Sequence, residues 1–230
     1  MSGGVDLKAE QQATLARPPC RYSPAARFFF RAMDLFAGRR DTLPKLRLLE
    51  MLASIPYREW EACQYARLTR LHRNPAEVRQ AREVAAWSRR AQDNEYWHLL
   101  VVAEKMREDG VREPWYLGPA VSWLAVLSYV ALARVLARLS MRRAFEFNGE
   151  FEDHAEHVYA GLVADHPEWE GQRPGAELVK EYADLATWAD VFRRIGLDER
   201  DHMNVSFGLA GRPECIAGGS RVRAGSDPAA

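Results

Sequence analysis

Four separated stretches limit what this chain can become. Glu50 stands in LRLLEMLASIP, Glu95 and His98 in DNEYWH, Glu152 in GEFEDHAEHVY, and Glu199 and His202 in LDERDHMN. In order they read E…ExxH…E…ExxH. Residues three apart on a helix share a face, so a carboxylate and an imidazole at that spacing can point at one ion. Metal sites inside helix bundles use this set: one Glu from each of two helices and a Glu-x-x-His pair from each of the other two. The separations repeat as well. Glu50 to Glu95 is 45 residues and Glu152 to Glu199 is 47, as though one helix pair had been used twice. Oxygen- and nitrogen-rich ligation of this kind suits iron, with manganese as the alternative.

A single ExxH arises easily by chance among 32 acidic residues and 6 His. Two of them, each preceded by a Glu at a similar distance, carry more weight. Context adds to it. Glu50 is flanked by Leu48, Leu49, Met51, Leu52 and Ala53, and a carboxylate on an apolar face is costly unless paired or metal-bound. At about 100° per residue, Glu156 and Tyr159 fall on nearly the face of Glu152. Tyr159 therefore lies two turns along the metal-facing stripe, placed to give an electron and a proton to the centre. The competing reading is a core tyrosine with a satisfied hydroxyl. Asp198 and Asp201, beside Glu199 and His202, are candidates to orient the ligands or balance charge, with solvent exposure as the alternative. His154 and His157 point away from the Glu152 face, and His157 is a candidate outer partner or hydrogen-bonds to a neighbouring helix.

Along the chain, residues 1–18 read as disordered, small and polar up to Pro18-Pro19. Residues 19–207 read as one helical domain. An amphipathic segment spans 24–37, and a helix opens near Pro44, with Pro56 as a candidate kink. A long helix covers 76–109 and carries Glu95 and His98. Helices follow over 141–164 and 176–207, and Gly, Ser, Arg and Pro make 208–230 read as a disordered tail. No stretch reads as a strand. Cys20, Cys63 and Cys215 lie far apart without a CxxC, which predicts free thiols in a reducing compartment.

Lys+Arg equals Asp+Glu, so nothing in the global charge attracts nucleic acid. The halves differ: residues 1–140 hold 22 basic against 15 acidic residues, +7, and residues 141–230 hold 10 against 17, −7. Within 17–40 there are six Arg and one Asp, a segment suited either to an anionic membrane surface or to a solvated helix face. Residues 114–133 carry no charge and are long enough to span a bilayer. Spanning would put Glu95 and His98 on the opposite side from Glu152, and the three could not share a centre. The stretch is therefore expected to lie in the interface, with Trp115, Tyr116, Trp123 and Tyr129 near the headgroups. The alternative is a soluble bundle whose core it fills.

The motifs LLEMLASIP, DNEYWH, EFEDHAEHVY and LDERDHMN, with their separations over about 25–207, resemble those of the alternative oxidases, membrane-bound di-iron quinol oxidases whose motifs read LETVAAVP, NERMH, LEEEAxHxY and RADExxH. The resemblance implies an all-α fold: a ferritin-like four-helix bundle with a di-iron carboxylate core and one or two extra interfacial helices, here about 24–37 and 115–139. It makes Glu50, Glu95, His98, Glu152, Glu199 and His202 the ligands of two iron ions. It places Tyr159 on the redox-active tyrosine, His157 on the motif histidine, and Asn94 and Asp198 beside the ExxH glutamates. Lys45, Leu49, His154 and Ala155 fall on positions lining the quinol pocket. The implied activity is oxidation of ubiquinol with reduction of dioxygen to water, without proton pumping. It would take place on the cytoplasmic side of the inner membrane, in one leaflet, and a homodimer is compatible with it. Two departures stand out: the family's arginine in NERMH is Tyr96 here, and the carboxylate near the quinol head is His154. They leave open a di-iron small-molecule oxygenase or hydroxylase of the same fold, soluble in the cytoplasm. A third reading is a metal-binding bundle without enzymatic activity.

Overall fold

The computed structural model describes residues 5–218. Among them are eight α-helices and no strand: α1 (Leu7–Ala16), α2 (Pro24–Ala37), α3 (Leu43–Arg70), α4 (Pro75–Glu108), α5 (Pro119–Leu139), α6 (Met141–Asp165), α7 (Glu177–Tyr182) and α8 (Trp188–Ala210). Local chemistry sets most of the boundaries. Ser23, Thr42, Asn74, Ser140 and Thr187 accept hydrogen bonds from backbone N–H groups in the first turns of α2, α3, α4, α6 and α8, satisfying donors that have no partner within the helix. Pro24, Pro44 and Pro75 sit in first turns, where a missing N–H costs nothing. Gly38, Gly110 and Gly211 follow α2, α4 and α8 with positive φ, a backbone conformation that glycine adopts without strain.

Helices α3 and α4 pack along one another as a hairpin, and α6 packs along α8 in the same way. The two pairs face each other, with buried side chains in layers along all four helices. One apolar cluster holds Leu46, Val101, Val102, Tyr159, Phe192 and Ile195. A second, at the other end, holds Tyr57, Trp60, Val84, Ala91, Phe145 and Ala210. Between them, at mid-height of α3, α4, α6 and α8, lies a layer of buried acids and histidines. Gly149 of α6 lets the ring of Phe207 on α8 come close, since a Cβ there would stand 2.8 Å from a ring carbon.

Several sequence expectations need correction. Residues 7–16 are helical, not disordered, because α1 docks across α6 and α8 through polar anchors. Gln11 donates to the carbonyl of Ala160, and Thr14 donates to Glu156. The chain past 207 is likewise ordered to the end of the described residues: α8 continues to Ala210, and a turn of 3-10 helix follows at Pro213–Cys215. Cys20 and Cys215 form a disulfide, with Cα atoms 5.9 Å apart, and only Cys63 is a free thiol. The fold brings together two cysteines 195 residues apart, which spacing alone does not reveal. The expected disorder at 1–4 and 219–230 falls outside the described residues. The single helix expected over 176–207 is two, because the Trp188 N–H donates to the Gln172 carbonyl and Thr187 caps a new start. Helix α3 runs unbroken through Pro56.

Helix α5 is the one described helix long and apolar enough to cross a membrane. It does not fill a core, since only 17% of its apolar window is buried. Trp123, Leu124 and Leu139 are at least two-thirds exposed. On α2, Phe28 and Leu35 are exposed as well.

Candidate metal centre

Each of the four central helices delivers its residues to the buried layer at helical spacing. Glu50 comes from α3, Glu95 and His98 from α4, Glu152 from α6, and Glu199 and His202 from α8. All six are buried. Their ligand atoms form two groups, each compact enough to surround one ion: Glu50, Glu95, His98 and Glu199, and Glu95, Glu152, Glu199 and His202. Glu95 and Glu199 belong to both. Their oxygens divide accordingly. His98 Nδ1 lies 2.9 Å from Glu199 Oε1 and 3.4 Å from Glu95 Oε2, while His202 Nδ1 lies 2.7 Å from Glu95 Oε1 and 3.5 Å from Glu199 Oε2. Two carboxylates thus bridge two half-sites, each with its own imidazole and terminal Glu.

The donor set fits metal ions by a second criterion. Eight buried atoms have no hydrogen-bond partner: Glu50 Oε2, both oxygens of Glu95, His98 Nδ1, Glu152 Oε2, both oxygens of Glu199 and His202 Nδ1. Buried polar atoms are nearly always satisfied, and a buried charge left alone costs several kcal/mol. These eight converge on one place, and such a cluster could hold metal cations. The other terminal oxygens are taken: Tyr159 donates to Glu50 Oε1 at 2.7 Å, and Tyr57 donates to Glu152 Oε1 at 2.6 Å. Asn148 supports the second, donating to Glu152 Oε1 at 2.8 Å and to the Tyr57 hydroxyl at 3.0 Å.

Electrostatics follow from this crowding. Burial, then the neighbouring Glu199, pushes Glu50 well above the usual carboxylate range, and burial with Glu95 does the same to Glu152. Burial alone would lower His98 and His202. Glu199 beside His98 and Glu95 beside His202 outweigh it, so both imidazoles are held well above their ordinary value. Burial would likewise raise Glu95, but His202 and His98 bring it down to about 2. Without metal, protons carry the positive charge that the acids demand.

Around the ligands, expectations and geometry divide. Asp198 lies beside His98: its Oδ2 is 3.5 Å from His98 Nε2, while Nδ1 is turned to the acidic cluster. Asn94 donates to the same oxygen at 3.4 Å, Tyr182 at 2.6 Å, and Arg194 pairs with Oδ1. Burial would raise Asp198, but His98 and Arg194 hold it below its usual range. Asp201 makes no such contact, and burial pushes it up to about 6. His157 turns away from the centre, to the carbonyls of Asp153 and Arg17. Glu156 accepts from Thr14 of α1, from Arg17 at its end and from Arg200 of α8, so it ties α1 to the bundle.

The positions expected to line a substrate pocket lie near one another but are filled. Lys45 is buried and donates to Asp34 and Asp41, joining α2 to α3. Leu49 and Ala155 pack with Phe30 and Phe151. His154 stacks on Phe30 with ring centroids 4.1 Å apart, and burial lowers its basicity. Tyr96 is exposed on α4, where its hydroxyl accepts from Gln92.

Three residues at the site escaped the sequence reading. Tyr57 had a signal: it stands seven residues after Glu50, as Tyr159 stands seven after Glu152, and each tyrosine bonds the other's glutamate. Asn148 sits one helical turn before Glu152. Tyr182 comes from the short helix α7 and had no signal in the spacing. No family model matches the chain, and no curated protein matches it.

Proposed function

We propose that the protein is a di-iron oxidase with a ferritin-like four-helix core, of the alternative-oxidase type, which oxidises a quinol and reduces dioxygen to water. The observation that carries the reading is the pair of half-sites bridged by Glu95 and Glu199, built from two Glu-x-x-His helices and two Glu helices. When bound there, two irons would supply the redox capacity to take electrons from a substrate and pass them to dioxygen. The chain's own residues supply the setting. Two apolar layers above and below the centre keep bulk water away. Tyr159 and Tyr57 fix the terminal carboxylates, and each holds a phenolic proton within hydrogen-bond distance of a ligand. Asp198 sets the ring orientation of His98.

The exposed apolar residues of α2 and α5 suit attachment to one leaflet, with the bundle remaining in the aqueous phase. An apolar groove of about 290 Å³ opens between α2, α3 and α5 on that face, lined by Phe29, Met33, Phe36, Leu48, Leu52 and Leu124. Its chemistry suits an isoprenoid tail. A second reading keeps the metal pair but oxidises another small molecule. It is favoured by the filled positions at Leu49 and Ala155 and by the paired Lys45. Oxygen uptake by iron-loaded protein in liposomes, with a short-chain ubiquinol as the reductant, separates the two. Quinol-dependent uptake that is lost in Glu95→Ala is expected, and iron-loaded protein that consumes no oxygen with quinol would overturn the oxidase reading.

A further inference from the structure

The two tyrosines at the terminal carboxylates occupy matching positions but lead to different surroundings. The Tyr159 ring meets Phe192, centroids 5.8 Å apart, and the indoles of Trp169 and Trp188 lie beyond that phenyl ring, which is too hard to oxidise to hold an electron vacancy itself. Tyr57 instead meets two indoles, Trp60 at 5.2 Å and Trp87 at 5.4 Å. The indoles stack on each other at 5.7 Å. Trp60 is buried and Trp87 is partly exposed, so oxidisable rings run without a break from Glu152 to the surface. The hydrogen bonds at Tyr57 also have a direction. Its hydroxyl donates to Glu152 Oε1 at 2.6 Å, and Asn148 donates to its oxygen. A phenol that loses an electron must lose its proton too, and here the acceptor is already in place.

We propose that Tyr57, Trp60 and Trp87 form a one-electron relay between the metal centre and the surface, which drains oxidising equivalents when the reducing substrate runs short. The proposal rests on the di-iron reading above, with dioxygen as the oxidant. In the step, Tyr57 gives one electron to the oxidised centre and its proton to Glu152 Oε1. An electron from Trp87, passed through or beside Trp60, reduces the tyrosyl radical, which takes the proton back from Glu152; this hop is uphill and is drawn forward by the reduction of the indole radical that follows. A one-electron donor in solution, a thiolate or ascorbate, then reduces the indole radical cation left at Trp87. The net change is one electron moved from that donor to the centre, and the only bond broken and remade is the Tyr57 O–H.

Two measurements test the relay, using Tyr57→Phe, which keeps the ring and its packing. In the metal-free protein, azide radicals made by pulse radiolysis oxidise tryptophan. A first-order decay of the indolyl absorption with growth of the tyrosyl absorption is expected, the downhill reverse of the proposed hop through the same contacts. Trp115 and Tyr116 are also in contact, with centroids 6.0 Å apart, so the variants are made on a Tyr116→Phe background; there the phase should be lost in Tyr57→Phe and in Trp87→Phe, and kept in Tyr159→Phe. In the iron-loaded protein exposed to dioxygen without reductant, peptide mass spectrometry should find oxidised Trp87. That product, counted per bound iron, should be lost in Tyr57→Phe. An indolyl decay indifferent to Tyr57, or Trp87 oxidation that persists in iron-loaded Tyr57→Phe, overturns the relay. Wild-type protein that takes up no iron overturns the di-iron reading instead, and the metal-free transfer then decides the relay alone.

Discussion

Gly149→Ala should destabilise the protein although it improves helix propensity. Gly149 is buried in α6, and an added Cβ would meet three ring carbons of Phe207 at 2.8–2.9 Å. Ordinary contacts there need several tenths of an ångström more, so the ring or the helix must move. Phe207 is fully buried beside Met203 and Cys215, and it adjoins Ser206, whose hydroxyl accepts from Asn148. Forcing a methyl group into such a core costs about 1–3 kcal/mol, and a fixed neighbour puts this site near the top. Replacing a helical glycine with alanine returns about 1 kcal/mol. The net loss is about 2 kcal/mol, which for a domain of this size lowers Tm by roughly 4–8 °C. Gly161, on the same helix, is the control. A Cβ there meets nothing within 4 Å, so Gly161→Ala should gain roughly 0.5–1 kcal/mol from helix propensity. Thermal melts of both variants check the pair. A cycle with Phe207→Leu should recover part of the Gly149→Ala loss, because the two sites are in contact. A Gly149→Ala variant as stable as the wild type would refute the close approach of α6 and α8.

Three further outcomes follow from the site and its surroundings. Arg200→Ala removes one of three partners of the buried Glu156, at 2.9 Å, and leaves Thr14 and Arg17 at 2.6 Å, so urea unfolding should show a loss of about 1.5–3 kcal/mol, the usual effect of losing a hydrogen bond to a charged group. Asp198→Asn weakens the anchor of His98, and chelator competition should show metal affinity reduced roughly 10–100-fold. The metal-free protein should lose stability as pH rises. His98, His202, Glu50 and Glu152 all have folded values above their ordinary ones. Groups raised on folding stabilise fully below their unfolded values and lose that contribution as pH climbs through the folded ones. Melts of the metal-free protein between about pH 6 and about pH 9 should therefore show a falling Tm. Metal affinity should rise over the same range, because the ligands must shed those protons.

The six metal-ligand candidates were legible because helical spacing is a rigid rule. A Glu three residues before a His must share its face, and the repeat of the pattern after about a hundred residues requires a second such helix pair. Tyr159 was legible for the same reason. Tyr57 could have been read from the internal repeat, since Glu50 and Tyr57 match Glu152 and Tyr159 in spacing. What the pattern does not carry is tertiary coverage. Helix α1 looks like a polar, dispensable stretch, yet Thr14 and Arg17 reach Glu156, and Gln11 reaches the Ala160 carbonyl. These contacts lie more than 130 residues apart in the chain, and no local periodicity reports them. For His157 the helix angle tells that its ring points away from the Glu152 face, but not that its partner is the Arg17 carbonyl at the end of α1. The Cys20–Cys215 bridge fails for the same reason. The substrate positions were the least legible, since whether Leu49, His154 and Ala155 line a space or fill one depends on where Phe30 of α2 settles.

The central claim is that Glu95 and Glu199 bridge two metal ions, and metal stoichiometry tests it most directly. Protein loaded with ferrous iron under anaerobic conditions and freed of excess should be assayed by plasma mass spectrometry, alongside Glu50→Ala, Glu152→Ala and Glu95→Ala. The two half-sites predict two ions per chain in the wild type, one tightly held ion in each terminal variant, and a loss of both in Glu95→Ala. Wild-type protein that binds no iron, or a Glu95→Ala variant that keeps both ions, would contradict the account.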